Sequence, residues 1–422
     1  MAQYYPSKSA VFTRLFQPVL DAYPSSLKPY KCRELSDLDF LEMGILRCAS
    51  DSKTGRDFLQ RHGDHGRKQV EVDLFFKALQ STRREVNTAS INQLLVQPMS
   101  ERSEDPFASH VELENFALYA GDGHYHSAAV HDPKFTSSKG QQKKYAVGHF
   151  FMLNLRTHHL ALLASEQKGG IRRKEHDMHA LKRKHADALR QGEPTGRQVI
   201  IVWDKAGIDF GFWQKLKKSS GVYFISREKE NMELMNCGNT PIDRADKRND
   251  GVVSDELVGP GGGGSVLRRI TYIDPVEEKE YIYLTTEMNL PPGIIALLYK
   301  KRWDIEKVFD ELKNKLNEKK AWASSPTAKK MNAQFLCLTH NLLMLLEEQL
   351  LQAEAVDNVR ERVRKSKRKA VAIQKGGNFV ATALQRFTVR SVKFIRWLRN
   401  FAYREVPWSE AVARLRQIYA TF

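Results

Sequence analysis

The segment RQVIIVWDKAG, residues 197–207, constrains this chain more than any other stretch. Its core is a short, uninterrupted apolar run bounded by turn residues, the pattern of a strand covered on both faces. Upstream, FALYAGDG (116–123) reads as another strand, and YAVGHFFMLNLRT and HLALLASE read as a β-hairpin linked at Thr157–His159. Between the hairpin and the apolar run lies RRKEHDMHALKRKHADALRQ, which is helical in composition. After the run come a short helix, FWQKLKKS, and a strand, VYFISRE. Three strands, helix, strand, helix, strand is the order of an α/β sheet with an antiparallel hairpin at one side.

The flanks differ in character. Residues 1–105 carry apolar residues at helical spacing in DFLEMGILRC and VDLFFKALQ, interleaved with Lys68, Lys77, Arg83 and Arg84. This region suits either a DNA-docking unit or a helical cap on the main domain. Residues 229–290 are rich in turn formers, with the strands VLRRITYID and KEYIYLTT around the turn PVEE, and read as an inserted β subdomain. The run Gly261–Gly264 is followed by Ser265 and Val266 without the Lys-Ser/Thr of a phosphate-binding loop, so it reads as a turn. Helical sequence resumes after Pro291 and Pro292 with PPGIIALLYKKRWDIEKVFDELKNKL, followed by the apolar helix AQFLCLTHNLLMLLEEQLL. From Arg360 to Arg399 there are thirteen Lys or Arg and one acid, Glu361, with Phe387, Phe394 and Trp397 interleaved. That stretch reads as a DNA-contacting arm or as a solvated basic tail.

With 422 residues, 41% of them hydrophobic, the chain has apolar material for two or three folding units. A formal charge of +17 suits a partner that is a polyanion, whether nucleic acid or an anionic lipid surface. Cys32, Cys48, Cys237 and Cys337 are scattered, which signals neither a zinc ribbon nor a disulfide scaffold. His62, His65, His176, His179 and His185 have metal-like spacings but lack the Cys partners or H-E-x-x-H context of a zinc site. No apolar run approaches ~20 residues. The expectation is a cytoplasmic, nucleoid-associated protein without a membrane partner.

The chemistry concentrates in Tyr299, Arg302, Glu306 and Lys313. On one helix these fall within roughly 60° of one another as a polar stripe about 20 Å long. Leu298, Ile305, Phe309, Leu312 and Leu316 form the adjacent apolar sector. By itself the stripe is equally a solvated face with Arg302 and Glu306 as an i,i+4 pair. Asp122 in YAGDGHYH and Asp204 in VIIVWDKAG each end a strand-like run, where a lone Asp is ordinarily a cap or turn former. Strand-end acids converge readily, however, and with a helix-borne Glu they offer the oxygen ligands that Mg²⁺ prefers.

At these residues the sequence resembles the insertion sequence 4 family of DDE transposases. The family's signature, Tyr-x2-Arg-x3-Glu-x6-Lys, stands here as YKKRWDIEKVFDELK from Tyr299, with Trp303 after the Arg. The resemblance spans roughly residues 110–350. It implies an RNase H-like catalytic core in two parts, 106–228 and 291–350, interrupted by the β insertion at 229–290. Helical regions at 1–105 and 351–422 flank it. It further implies that Asp122, Asp204 and Glu306 are the catalytic and metal-binding acids, holding two Mg²⁺ ions for which Mn²⁺ can substitute. Tyr299, Arg302, Trp303 and Lys313 would contact DNA.

The reaction implied by the resemblance is cleavage of transposon-end DNA, then joining of the freed 3′-hydroxyl to target DNA. The implied partners are terminal inverted repeats, target DNA and a second copy of the chain in a synaptic complex. One departure is DGHYH, where small or hydroxyl residues often follow the Asp-Gly; His124 and His126 read as loop residues outside the catalytic set. Two alternatives remain open: an RNase H-like nuclease that cuts without joining, and a non-catalytic DNA-binding protein derived from a transposase.

Overall fold

The computed structural model describes residues 7–26, 34–102, 104–126, 128–137, 140–144, 147–165, 177–260, 265–316, 321–383 and 390–420. Among them, nine strands form one mixed sheet: β1 Phe116–His126, β2 Val147–Asn154, β3 Leu160–Ser165, β4 Gln198–Val202, β5 Val222–Arg227, β6 Leu234–Asn239, β7 Val252–Pro260, β8 Leu267–Asp274 and β9 Lys279–Thr285. Their order across the sheet is β3-β2-β1-β4-β5-β9-β8-β7-β6. β1, β4 and β5 run parallel to one another, while β2 pairs antiparallel with both β1 and β3. These five strands are the α/β sheet with an antiparallel hairpin at one side that the order of elements in the sequence predicts. The four later strands, from the stretch expected to form an inserted subdomain, extend the same sheet through the antiparallel pairing of β9 with β5. Two of them, β6 and β7, have no counterpart in the sequence reading. The Gly261–Gly264 turn lies outside the described residues.

Strand parity assigns the two faces. Phe116, Leu118 and Ala120 of β1, with Ile200 and Val202 of β4, face one core; Ala117, Tyr119, Val199, Ile201 and Trp203 face the other. The second core is closed by α7 Asp177–Lys182, α8 Ala186–Arg190 and α9 Phe210–Ser220. α9 makes the crossover from β4 to β5. Its ends are set locally: the Asp209 carboxylate accepts the Phe212 N–H at 2.8 Å, and Gly221 closes the helix at φ 60°.

The first face is covered by α10 Pro292–Lys301, α11 Trp303–Asn314 and the 29-residue α12 Pro326–Glu354. Around α12 pack the N-terminal helices α1 Ala10–Ser26, α2 Asp37–Ala49, α3 Gly55–Asp64, α4 Val72–Ala78, α5 Thr82–Leu94 and α6 Val96–Arg102. α12 is fastened to both layers through Asn341. Its amide donates to Asn92 of α5 at 2.8 Å, and its carbonyl accepts the Leu160 N–H of β3 at 2.8 Å.

The C-terminal stretch divides in two. α13 Val359–Gln374 buries no residue and presents its cations to solvent, and the short α14 Phe379–Thr382 follows it. By contrast, α15 Val392–Phe401 and α16 Trp408–Ala420 close the helical body. Ser9 donates to the Phe401 carbonyl at 2.7 Å and Arg399 to the Ala49 carbonyl at 2.5 Å, joining the two ends of the chain. Phe394 and Trp397, expected among cations on an exposed arm, are fully buried instead. The reason is amphipathicity: five apolar residues of α15 face the core, each worth about 1.5–3 kcal/mol on burial. Phe387 lies outside the described residues.

Candidate active site

Asp122 and Asp204 share the sheet face that α10–α12 cover. Parallel pairing of β1 with β4 ends at Ala120 opposite Val202, and each acid stands two residues further on. Neighbouring strands are about 4.8 Å apart, so both acids start from adjacent points at the last rung. β1 does not stop at Asp122, as the sequence suggested. It continues to His126 because β2 still pairs with it, Asp122 opposite Phe151 and His124 opposite His149. His124 and His126 are therefore buried strand residues, with the His124 ring stacked on Phe309 of α11 at 4.6 Å.

Gly121 permits this arrangement. A β-carbon there would lie 2.0 Å from the Trp203 ring, and one at Gly207 would lie 2.6 Å from it. Trp203 thus fills the space beneath the two acids while Asp204 turns to the opposite face. One Asp204 oxygen accepts the Ala206 N–H at 2.8 Å, and its backbone carbonyl accepts the Ser226 hydroxyl of β5 at 2.8 Å. Asp204 is a turn former, as the conservative reading held, and its place beside Asp122 is fixed by that turn.

The helix expected after Pro291 is two helices. α10 and α11 meet at Arg302, whose backbone stays right-handed, but the bonds there span three residues: Arg302 N–H to Tyr299 and Ile305 N–H to Arg302, both 3.1 Å. This tightened turn alters the simple 3.6-residue stripe. Tyr299 is buried against Tyr283, ring centroids 5.1 Å apart. Trp303 is half exposed, and Lys313 lies exposed in the last turn of α11. The apolar sector of Leu298, Ile305, Phe309, Leu312 and Leu316 is buried.

Arg302 joins the acids. Its Nη1 lies 3.3 Å from Asp122 Oδ2, and its Nη2 donates to Glu306 Oε1. The i,i+4 pair with Glu306 therefore exists, but the same guanidinium also reaches a strand 180 residues away in sequence. Burial works against the Arg302 charge; the Asp122 and Glu306 carboxylates offset it, so the guanidinium binds its proton more firmly than usual. Burial also pushes the Tyr299 hydroxyl up, against the neighbouring guanidinium, so the phenol stays neutral.

Asp122, Asp204 and Glu306 are all half-buried. Among the described residues no three His, Cys, Asp or Glu side chains form a ready-made metal cage. The donor types nevertheless suit a hard divalent cation: Asp122 and Glu306 offer carboxylate oxygens to one shared guanidinium, and Asp204 follows the neighbouring strand.

A second feature was not anticipated. A cleft of about 480 Å³ opens at Arg302, lined by Arg227, Tyr281, Tyr283, Tyr299 and Trp303, by Lys365 and Arg368 of α13, and by the carboxylates of Asp274, Glu277 and Glu361. Tyr281 and Tyr283 stack at 6.3 Å, and the Arg227 guanidinium lies 5.1 Å from the Tyr281 ring. The signal was present in KEYIYLT: tyrosines at i and i+2 of a strand share a face. Aromatic faces flanked by cations are what proteins present to nucleic-acid strands.

Behind α11, Glu311 is fully buried and pairs with Arg390, which also binds Glu347 of α12 at 2.5 Å. This cluster locks the helix that carries Glu306 to the segment entering α15.

The sequence pattern of the family described as Transposase DDE domain matches residues 113–342. A protein named as a transposase for insertion sequence element IS4SA from Synechocystis sp. is 24% identical over 212 residues, 50% of this chain and 54% of that protein. One named as transposase y4zB from Sinorhizobium fredii is 26% identical over 170 residues, 38% of this chain and 47% of that protein. The chain thus spans about half the length of the curated relatives it matches. A cryo-EM structure of a piggyBac transposase synaptic complex with hairpin DNA aligns over 98% of this chain and 85% of that one, with 10% identity and a TM-score of 0.43.

Proposed function

The chain belongs to the transposase DDE-domain family, and from that premise we propose that it cleaves transposon-end DNA and joins the freed 3′-hydroxyl to target DNA. What supports the reading is the placement of distant acids: Asp122 and Asp204 each two residues past the last rung of the parallel pair β1 and β4, and Glu306 tied to Asp122 through Arg302. Asp122, Asp204 and Glu306 would hold two Mg²⁺ ions, or Mn²⁺ in their place. When bound, such ions activate the attacking oxygen and stabilise the leaving oxygen of an in-line phosphoryl displacement.

The chain's own residues supply the rest. The strand register and the Ser226 and Ala206 contacts hold the Asp204 loop in place, and α11 presents Glu306 from above the sheet. Arg302 and Lys313 bind strand phosphates next to the acids; Arg302 does so as a planar fork able to grip two oxygens. Tyr299 orients the same phosphate, and Trp303, with the tyrosines of the neighbouring cleft, receives the strand as it leaves the acids. The exposed cations of α13 run along the duplex backbone. Two copies bring two terminal inverted repeats together before the cut.

Strand transfer is the discriminating experiment. A DNA end from the flank of the gene, pre-cut to expose its 3′-hydroxyl, is incubated with the protein, Mg²⁺ and supercoiled target. Joined product is expected. Cleavage of uncut ends without joining assigns a nuclease, and binding without either reaction assigns a non-catalytic derivative.

A further inference from the structure

We infer that Arg302 is a charge placeholder that keeps the acid site closed to divalent cations until DNA arrives. This rests on the reading of Asp122 and Glu306 as metal ligands. The Arg302 side chain is 8% exposed, and its two terminal nitrogens are both committed, one to Asp122 and one to Glu306. Those carboxylates come from a strand and a helix of separate parts of the chain and carry like charge. The guanidinium offsets their repulsion and holds them together.

A guanidinium does not deprotonate under physiological conditions, so it leaves this position only by moving. A divalent cation bound by the same two carboxylates would sit within a few ångströms of a fixed positive charge, where repulsion in a half-buried site is strong. Cation and guanidinium therefore compete for the same oxygens. Metal binding requires Arg302 to swing away, and the three-residue bonding between α10 and α11 places the adjustable turn at this residue.

A phosphate supplies the alternative partner. Arg302 lines both the acid site and the cleft with Arg227, Tyr283 and Trp303, so a DNA strand there offers it anionic oxygens within the reach of a side-chain rotation. DNA binding thus favours the rotated state, and the rotated state favours the cations. By linkage each ligand tightens the other, with typical coupling between about 5-fold and 150-fold. The device delays assembly of a cutting centre until there is DNA to cut.

The test is Mn²⁺ binding, read by the electron paramagnetic resonance signal of the free ion, on wild type, Arg302→Gln and Arg302→Lys without DNA. Arg302→Gln is expected to bind Mn²⁺ more tightly than wild type by about 5-fold or more. Arg302→Lys, which keeps a charge but lacks the fork, is expected to fall between. An Arg302→Gln protein with a cooperative melting transition that binds Mn²⁺ no more tightly than wild type overturns the proposal. Should that variant fail to fold, Arg302→Lys decides, and unchanged affinity there overturns it equally. Adding Glu306→Gln to the Arg302→Gln background separates the two claims. Loss of the tightened Mn²⁺ binding supports both, whereas retention removes Glu306 as a ligand and with it the proposed reaction centre.

Discussion

Asp122 and Asp204 each stand two residues beyond the last rung between the parallel strands β1 and β4, Ala120 opposite Val202, Asp122 still on β1 and Asp204 in the turn that follows β4. The last rung sets where both acidic segments begin, and the turn held by the Ala206 N–H and the Ser226 hydroxyl carries Asp204 on from there. The placement of the two aspartates thus depends on the sheet, and mutations that disturb the sheet at this point are expected to disturb the candidate site.

Gly121→Ala is the sharpest such disturbance. The added methyl would meet the Trp203 ring at 2.0 Å, and the indole is fully buried with nowhere to retreat. Overpacking of this kind costs about 1–3 kcal/mol. Urea denaturation is expected to show that loss together with impaired cleavage; a variant as stable as wild type would mean that Trp203 does not support the acids.

Much of this was legible beforehand, for identifiable reasons. Asp122 and Asp204 follow apolar runs that read as strands, and YKKRWDIEKVFDELK carries its own spacing. What escaped depended on long-range pairing or on one tightened turn. HYH after Asp122 reads as a loop until β2 is seen beside it. LMNCGN reads as a turn, yet β7 recruits it as β6. Phe394 and Trp397 read as arm residues because the helices packed on α15 include α1 and α2 from the opposite end of the chain, besides α16.

Buried histidines give a pH signature. Burial pushes His62 and His149 down to about 3 and His159 to about 4, against an ordinary value near 6.5. The unfolded chain therefore takes up protons first, so this stability is present above pH ~6.5 and is lost as pH falls toward the folded values. The slope is about 1.4 kcal/mol per pH unit per site, up to roughly 4 for the three together. Unfolding free energies at pH 7 and pH 5.5 should show the decline, and equal values would contradict the burial of these rings as neutral groups.

Arg390 is predicted to be indispensable for stability. Arg390→Leu leaves Glu311 fully buried without its counter-charge, and breaking such a pair costs about 3–5 kcal/mol. Chemical denaturation measures it. A change below about 1 kcal/mol would show that His340 and the backbone suffice to hold Glu311.

For α13, neutralisation is a cleaner probe than truncation, which would also delete the buried helices α15 and α16. Replacing Lys365, Lys367, Arg368 and Lys369 by Gln should weaken duplex binding and flatten its salt dependence, by roughly 0.9 in the log–log slope for each lost phosphate contact. An unchanged slope would remove α13 from the DNA surface.

The central claim is that three acids act as one centre, and single-turnover cleavage of the element's own DNA ends in Mg²⁺ tests it most directly. Asp122→Asn, Asp204→Asn and Glu306→Gln should each slow cutting on the order of 10²-fold or more while still shifting the DNA in a gel. Wild-type cutting by any one of the three would contradict the account.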